Sequence, residues 1–318
     1  MHIIDMHCDT LLECYLKKEH LRENSLHVDL QSMERNHAMA QFFAIFLPAG
    51  NAAQEIGIKK EPYELFLEIF ALYQTELQQN QDVILPALSY ENVMENHRNH
   101  KMSSILTIED GQLLEGDIQR LDLLYEKGVR LMTLTWNNEN QIGFPSSADQ
   151  TAHGKGLKPF GIETVERMNQ LGMIIDVSHL SEGGFYDVAR YSEKPFVASH
   201  SCARELCDHP RNLTDQQLKC VARSGGAVGI NFYAPFLREQ ASGTLVKDII
   251  AHMKHMISIM GDEHIALGSD FDGMSCGMEI ERYDSYRELL LRMEQAFSTE
   301  TVERICYKNA LRILKECL

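Results

Sequence analysis

Eight short apolar runs recur along the chain, and the segments between them carry helical spacing. The runs are 2–7 (HIIDMH), 39–47 (MAQFFAIFL), 104–109 (SILTIE), 129–135 (VRLMTLT), 173–178 (MIIDVS), 195–199 (PFVAS), 226–232 (GAVGINF) and 264–269 (HIALGS). A further run, 83–88 (VILPAL), contains Pro86, which has no amide to donate to a ladder, and it reads as an accessory or edge piece. Helical patterns fall at 62–79, 113–127, 160–171, 214–223, 244–260 and 299–316. In the first of these Leu65, Ile69, Leu72 and Leu77 lie near one face and Pro62 suits the first turn. Thr214 followed by Gln217 reads as a capping box. Strands alternating with helices call for parallel βα units, and eight of them suit a closed cylinder. The rival, an open doubly wound sheet, lacks its usual G-x-G-x-x-G turn after the first strand. The expected fold is therefore α/β, a (β/α)8 TIM barrel with accessory elements. No linker or repeat divides residues 1–318, so a single domain is expected.

Asp and Glu outnumber Lys and Arg 46 to 30, a formal charge of -16. Such a surface repels phosphate backbones, which argues against nucleic-acid partners and for a small-molecule substrate. No basic leader with an apolar core opens the chain, and no uncharged run could cross a bilayer, so a cytoplasmic protein without membrane attachment is expected. The 8 cysteines include no CxxC pair and read as free thiols rather than a zinc ribbon.

The chemistry of such barrels sits at the C-terminal ends of the strands. Ionisable residues collect there: His7 and Asp9 after the first run, Glu109 after the third, His179 after the fifth, His200 after the sixth, Asp270 and Asp272 after the eighth. Residues two apart in a strand face the same way, which would point His7 and Asp9 at one spot. Each signal has a plainer reading. His27-Val28-Asp29 repeats the H-x-D pattern, Glu109 or Asp110 could cap a helix, and "GSDFDG" could be a turn. Random placement, however, would not gather six of these seven groups, three imidazoles and three carboxylates, at one rim. This N/O set suits Zn²⁺, with Mn²⁺, Co²⁺ or Fe²⁺ as alternatives. Five ligands exceed what one catalytic zinc needs, which favours two metals that together activate a water, with a leftover carboxylate moving the proton. Hydrolysis of an amide or related bond follows. His252 and His255, like His97 and His100, lack a strand-end carboxylate and read as helix-surface or loop residues; the Met-rich stretch at 253–260 reads as core.

Over nearly its whole length the chain resembles the membrane (renal-type) dipeptidases, zinc peptidases with an amidohydrolase-like barrel. The likeness rests on "DMHCDT", "QFFAIFLP", "TIEDG", "GVRLMTLTWN", "GKGLKPFG", "MIIDVSHLS", "VASHSCAR", "RNLTDQQL", "GGAVGINFY" and "GSDFDG", in family order. The resemblance implies that His7 and Asp9 hold one zinc, that His179 and His200 hold another, and that Glu109 bridges them. It implies Asp270 as the proton-transfer carboxylate, Arg211 as the grip on a dipeptide's free C-terminal carboxylate, and Tyr233 as a residue of the same pocket. A guanidinium fork suits a carboxylate; without the family, Arg211 reads as a surface ion pair. Tolerance of a D-residue at the C-terminal position is implied by the family alone. One position departs: Trp136 stands where many members carry a His thought to bind the carbonyl oxygen. Indole has one N–H and no basic nitrogen, so a metal, Asn137 or His153 would have to polarise the carbonyl, or the substrate differs. Alternative readings are an amidohydrolase of lactams or lactones using the same metals, and a barrel that binds metal or peptide without turnover. A homodimer is compatible with the sequence but not specified by it.

Overall fold

The computed structural model describes residues 1–318. Each of the eight apolar runs forms a parallel strand: β1 Ile3–Cys8, β2 Ala38–Phe46, β3 Met102–Glu109, β4 Val129–Thr133, β5 Ile174–Asp176, β6 Val197–Ser201, β7 Ala227–Ile230 and β8 Ile265–Leu267. Each pairs with the next in chain order, and β8 returns to β1 through Leu267 and Asp5, so the sheet closes into a barrel. Closure removes the strand edges that an open sheet would expose. The run with Pro86 is a separate edge piece, Ile84–Pro86, pairing only with the first residues of β3; β4 takes the same flank further along.

Alternation sorts the strand residues between two surfaces. Ile4, Phe42, Ile105, Leu131, Ile174, Val197, Ala227 and Ala266 fall together inside the cylinder. Ala310, Ile313 and Leu314 of the C-terminal helix Asn309–Cys317 join that inner cluster. The neighbouring residues Ile3, Phe43, Leu106, Met132, Ile175, Ala198, Val228 and Ile265 face outward into the layer of helices. Both faces of a parallel sheet are covered in this way, which is why the runs are almost continuously apolar. Each fully buried aliphatic or aromatic side chain contributes about 1.5–3 kcal/mol.

The helix Pro62–Gln79 has the predicted limits, with Leu65, Ile69 and Leu77 buried and Leu72 half-buried. Thr214 caps Asp215–Arg223 reciprocally with Gln217. Two predicted helices are interrupted. The segment 113–127 divides into a 3₁₀ turn, Gly111–Leu114, and a helix, Gln119–Glu126, around Gly116 with its positive φ of 76°. The segment 299–316 contains a π turn at Arg304–Lys308. Helices Thr10–Lys17, Tyr90–Arg98, Glu182–Tyr191 and Tyr286–Ala296 lie outside the segments read as helical from the sequence, although each is amphipathic. The surface reading of His252 is overturned. It is buried, accepts the Ala203 N–H at Nδ1 (3.1 Å) and donates from Nε2 to the Leu237 carbonyl (2.9 Å), tying together the segments that follow β6 and β7. Met253, Met256 and Met260 of the same helix are core. All 8 cysteines are unpaired. No helix is long and apolar enough to cross a membrane.

Candidate active site

Glu109 reaches the mouth of the barrel by plain alternation, on the face of β3 shared with Ile105 and Thr107. The histidines of β1 and β6 do not. In β1, Ile4 and Met6 point inward, so strict alternation would turn His7 outward; the pairing register shifts between Asp5 and Cys8 and lets His7 face the interior. In β6, Val197 points inward with Ser199, and a second shift between Ala198 and Ser201 allows His200 to follow. Such irregularities re-aim side chains at barrel rims. His179 and Asp270 lie just past β5 and β8 in the left-handed region, with φ of 66° and 64°. A His or Asp held there stores backbone strain that surrounding contacts must sustain.

The predicted residues converge. His7 Nε2 lies 3.3 Å from Asp9 Oδ2, 3.5 Å from Glu109 Oε2 and 3.8 Å from Asp270 Oδ1. The other Glu109 oxygen, Oε1, is 3.1 Å from His179 Nε2 and 3.4 Å from His200 Nε2, and those two nitrogens are 3.0 Å apart. Glu109 thus stands between a His7–Asp9 group and a His179–His200 group. Strand alternation is not what joins His7 to Asp9: Asp9 has left the strand (φ -102°, ψ 16°) and precedes the helix Thr10–Lys17. Asp272 turns away from the cluster, accepting hydrogen bonds from Thr10 Oγ1 (2.6 Å) and the His27 N–H (2.8 Å).

Hydrogen bonds behind the cluster set the imidazole tautomers. Ser199 Oγ donates to Asp176 Oδ2 (2.5 Å) and accepts from His200 Nδ1 (2.8 Å), leaving His200 Nε2 bare. His179 Nδ1 donates to Asn137 Oδ1 (2.9 Å), with the same result. Asp176 also receives Thr133 Oγ1 at 2.7 Å and the Ser178 and Ser199 N–H groups. Asp5 braces the β1–β8 seam, accepting from Ser269 Oγ (2.5 Å) and Tyr286 Oη (2.9 Å), but no hydrogen bond reaches Nδ1 of the His7 ring. Asn231 Nδ2 donates to Asp270 Oδ2 at 2.9 Å. Asp5, Asp176, Ser199 and Asn231 carry no role in the sequence reading. Their one signal is a polar residue inside a run that is otherwise wholly buried.

The donor set fits divalent cations. Asp9, Glu109 and Asp270 crowd together with no Lys or Arg among their ion pairs, and Asp9 Oδ1 and Glu109 Oε1 are buried without hydrogen-bond partners. Leaving carboxylates so costs several kcal/mol each unless positive charge meets them. Ligand atoms of His7, Glu109 and His200 lie within 4.8 Å of one another, as do those of His7, Asp9 and Asp270. Burial, with Arg211 adding to it, pushes His179 down to about 4, and burial holds His200 well below its ordinary value, so both imidazoles are neutral donors. Burial would also lower His7, but Asp9 and Glu109 outweigh it and hold His7 well above. Burial lifts Asp270 to about 6.

Above this floor opens a cavity of about 210 Å³ walled by Phe46, Trp136, Asn137, Tyr233, Phe236 and Met274. Arg211 lies behind it, buried rather than on the surface, with no carboxylate partner. Its Nη2 donates to the His200 carbonyl (3.2 Å), Nη1 approaches Ser201 Oγ (3.4 Å), and Nε has no partner. The ion-pair reading of Arg211 is thereby overturned. His153 is buried elsewhere, accepting the Ser147 N–H at Nδ1 and facing Arg204 from Nε2, so it does not reach the cavity.

Over residues 1–317 the chain matches the model of peptidase family M19, described as membrane dipeptidase. The chain belongs to that family. This membrane-dipeptidase member is 33% identical over 269 residues to an uncharacterized Klebsiella pneumoniae protein of the pqqA 5′ region, covering 81% of this chain and 98% of the relative. An uncharacterized dipeptidase of Schizosaccharomyces pombe is 31% identical over 307 residues, covering 92% and 73%. A metallopeptidase from Rhodobacter sphaeroides, solved with a phosphinate mimic of the dipeptide L-Ala-D-Ala, superposes with a TM-score of 0.90 at 25% identity, covering 100% and 99%. The protein is a metal-dependent hydrolase of the dipeptidase class.

Proposed function

We infer that residues 1–318 act as one catalytic domain that hydrolyses dipeptides bearing a free C-terminal carboxylate at a site for two divalent ions, zinc first among them. His7 and Asp9 would hold one ion, His179 and His200 the other, with Glu109 shared. Bound there, the ions would supply Lewis acidity toward the scissile carbonyl and make a water nucleophilic at neutral pH. Asp270, ionised at neutral pH and oriented by Asn231, takes the proton from the attacking water and returns it to the leaving amine. Tyr233 lines the pocket on the side of Arg211, and Asn137 offers its amide N–H₂ to the carbonyl oxygen where Trp136 has only an indole N–H.

The observation that carries this reading is Arg211, a buried guanidinium without an anionic partner beside the cluster. A substrate carboxylate would satisfy it, and only a dipeptide places that carboxylate one residue from the scissile bond. The likeness to the Rhodobacter peptidase, whose bound mimic carries a C-terminal D-Ala, supports acceptance of D-residues at that position. Replacing Arg211→Met is expected to lower kcat/KM for Ala-Ala and Ala-D-Ala by about 10²-fold or more, mainly through KM. Equal kinetics in the variant, or no cleavage of any dipeptide by the metal-loaded protein, would overturn it.

A further inference from the structure

Trp136 is the chain's 1 tryptophan, and it stands in the cavity wall instead of the core. Its ring centroid is 4.8 Å from that of Phe46, tilted by 53°, and 6.2 Å from that of His179. Phe46 closes β2 and Trp136 follows β4, so the pair flanks Glu109 of β3. Arg211 and Tyr233 lie on the opposite side of the mouth, after β6 and β7; Phe236 sits between them, 5.3 Å from the guanidinium and 4.9 Å from the Tyr233 ring. A dipeptide whose carboxylate met Arg211 and whose scissile carbonyl lay above Glu109 would, if extended, project its first residue toward Phe46 and Trp136.

That side of the cavity offers a side chain two aromatic faces and no charged partner outside the carboxylate floor. An apolar group gains by leaving water there, whereas a carboxylate would be desolvated against two aromatic rings in a cavity whose lining holds no Lys or Arg to pair with it. We propose that Phe46 and Trp136 form the pocket for the N-terminal side chain and select dipeptides whose first residue is apolar over those in which it is acidic. The assignment rests on the reading of Arg211 as the carboxylate anchor. Trp136 is then a specificity-determining residue that acts through contact with the side chain of the substrate.

The test measures kcat/KM of the metal-loaded enzyme for Leu-Ala, Phe-Ala, Gly-Ala and Asp-Ala, with Trp136→Ala, Trp136→Phe and Phe46→Ala as variants and melting curves as fold controls. The wild type should favour Leu-Ala over Asp-Ala by about 10–100-fold. Trp136→Ala and Phe46→Ala should each shrink that ratio about tenfold, chiefly by raising KM for Leu-Ala, while Trp136→Phe keeps most of it. Emission of the lone indole should shift as Leu-Ala is titrated into the metal-free protein, which reports occupancy without turnover. A wild-type ratio near one, a ratio unmoved in Trp136→Ala, or binding seen by calorimetry with unchanged indole emission would overturn the proposal and leave the Arg211 reading intact. Cleavage of no dipeptide would overturn both.

Discussion

At the scale of single residues, His7 and Asp270 have the sharpest consequences. Burial would lower His7, but Asp9 and Glu109 outweigh it and hold the imidazole well above the ordinary value, so in the metal-free protein it carries a proton at pH 7. A metal needs the bare Nε2. Zinc uptake at pH 7 is therefore expected to release protons into the buffer, and the calorimetric enthalpy should change with the ionisation enthalpy of the buffer; an enthalpy independent of buffer would contradict the assignment. Because His7 must give up its proton to bind metal and is held well above the ordinary histidine value, apparent zinc affinity should keep climbing as pH rises past the ordinary histidine range. Asp270 is poised differently. Its Oδ2 is held by Asn231, and burial lifts it only to about 6, so it is ionised when the reaction begins and can accept a proton. Asp270→Asn keeps the shape but not the base, and turnover is expected to fall by roughly 10²–10⁴. Retention of near-normal kcat by this variant, with metal content verified, would remove Asp270 from the mechanism.

At the scale of elements, the site depends on where strands break their own rule. The register shifts at the ends of β1 and β6 turn His7 and His200 inward beside residues that alternation already places there. Glycine makes room for this crowding. A Cβ on Gly229 of β7 or on Gly268 just past β8 would run into the Ser199 carbonyl, and the two glycines also face each other across the barrel wall. Gly229→Ala should therefore destabilise the fold by about 1–3 kcal/mol or more, because the obstacle is backbone and cannot rotate away. Chemical denaturation would register it as a lowered midpoint. Gly273 limits the site from the other side: a Cβ there would meet the carboxylates of Asp9 and Asp270. Gly273→Ala is expected to cost metal affinity more than stability, read as metal per chain after dialysis against that of the wild type.

At the scale of the whole molecule, the barrel concentrates negative charge at one end. The chain carries a formal charge of -16, and three carboxylates share the floor of one cavity. Cations bound to the folded state alone stabilise it by mass action, and relieving the buried carboxylates acts in the same direction. Chelation of the metal-loaded protein is expected to lower the melting temperature by about 10 °C, and added zinc should restore it. An unchanged melting curve would argue that the cluster is satisfied without metal.

Much of this was legible before any coordinate, and the division between what was and was not has a physical cause. Burial on both faces leaves a run of apolar residues in the primary order, so the eight strands, the barrel and the rim positions of Glu109, His179, His200 and Asp270 could be read directly. The helix Pro62–Gln79 was legible for the same reason, since its apolar stripe repeats locally. Register shifts leave no such trace. Neither the inward turns of His7 and His200 nor the meeting of His7 with an Asp9 already outside the strand follows from local spacing. The turns depend on pairing with the neighbouring strands β2 and β7, and the Asp9 N–H is held by the Phe271 carbonyl beyond β8. The same holds for Arg211: its residue type suggested a surface ion pair, and only the packing of the loop after β6 against Phe236 and the His200 carbonyl buries it without an anion. Periodicity records which side chains leave water; which of them meet is settled by contacts between distant segments.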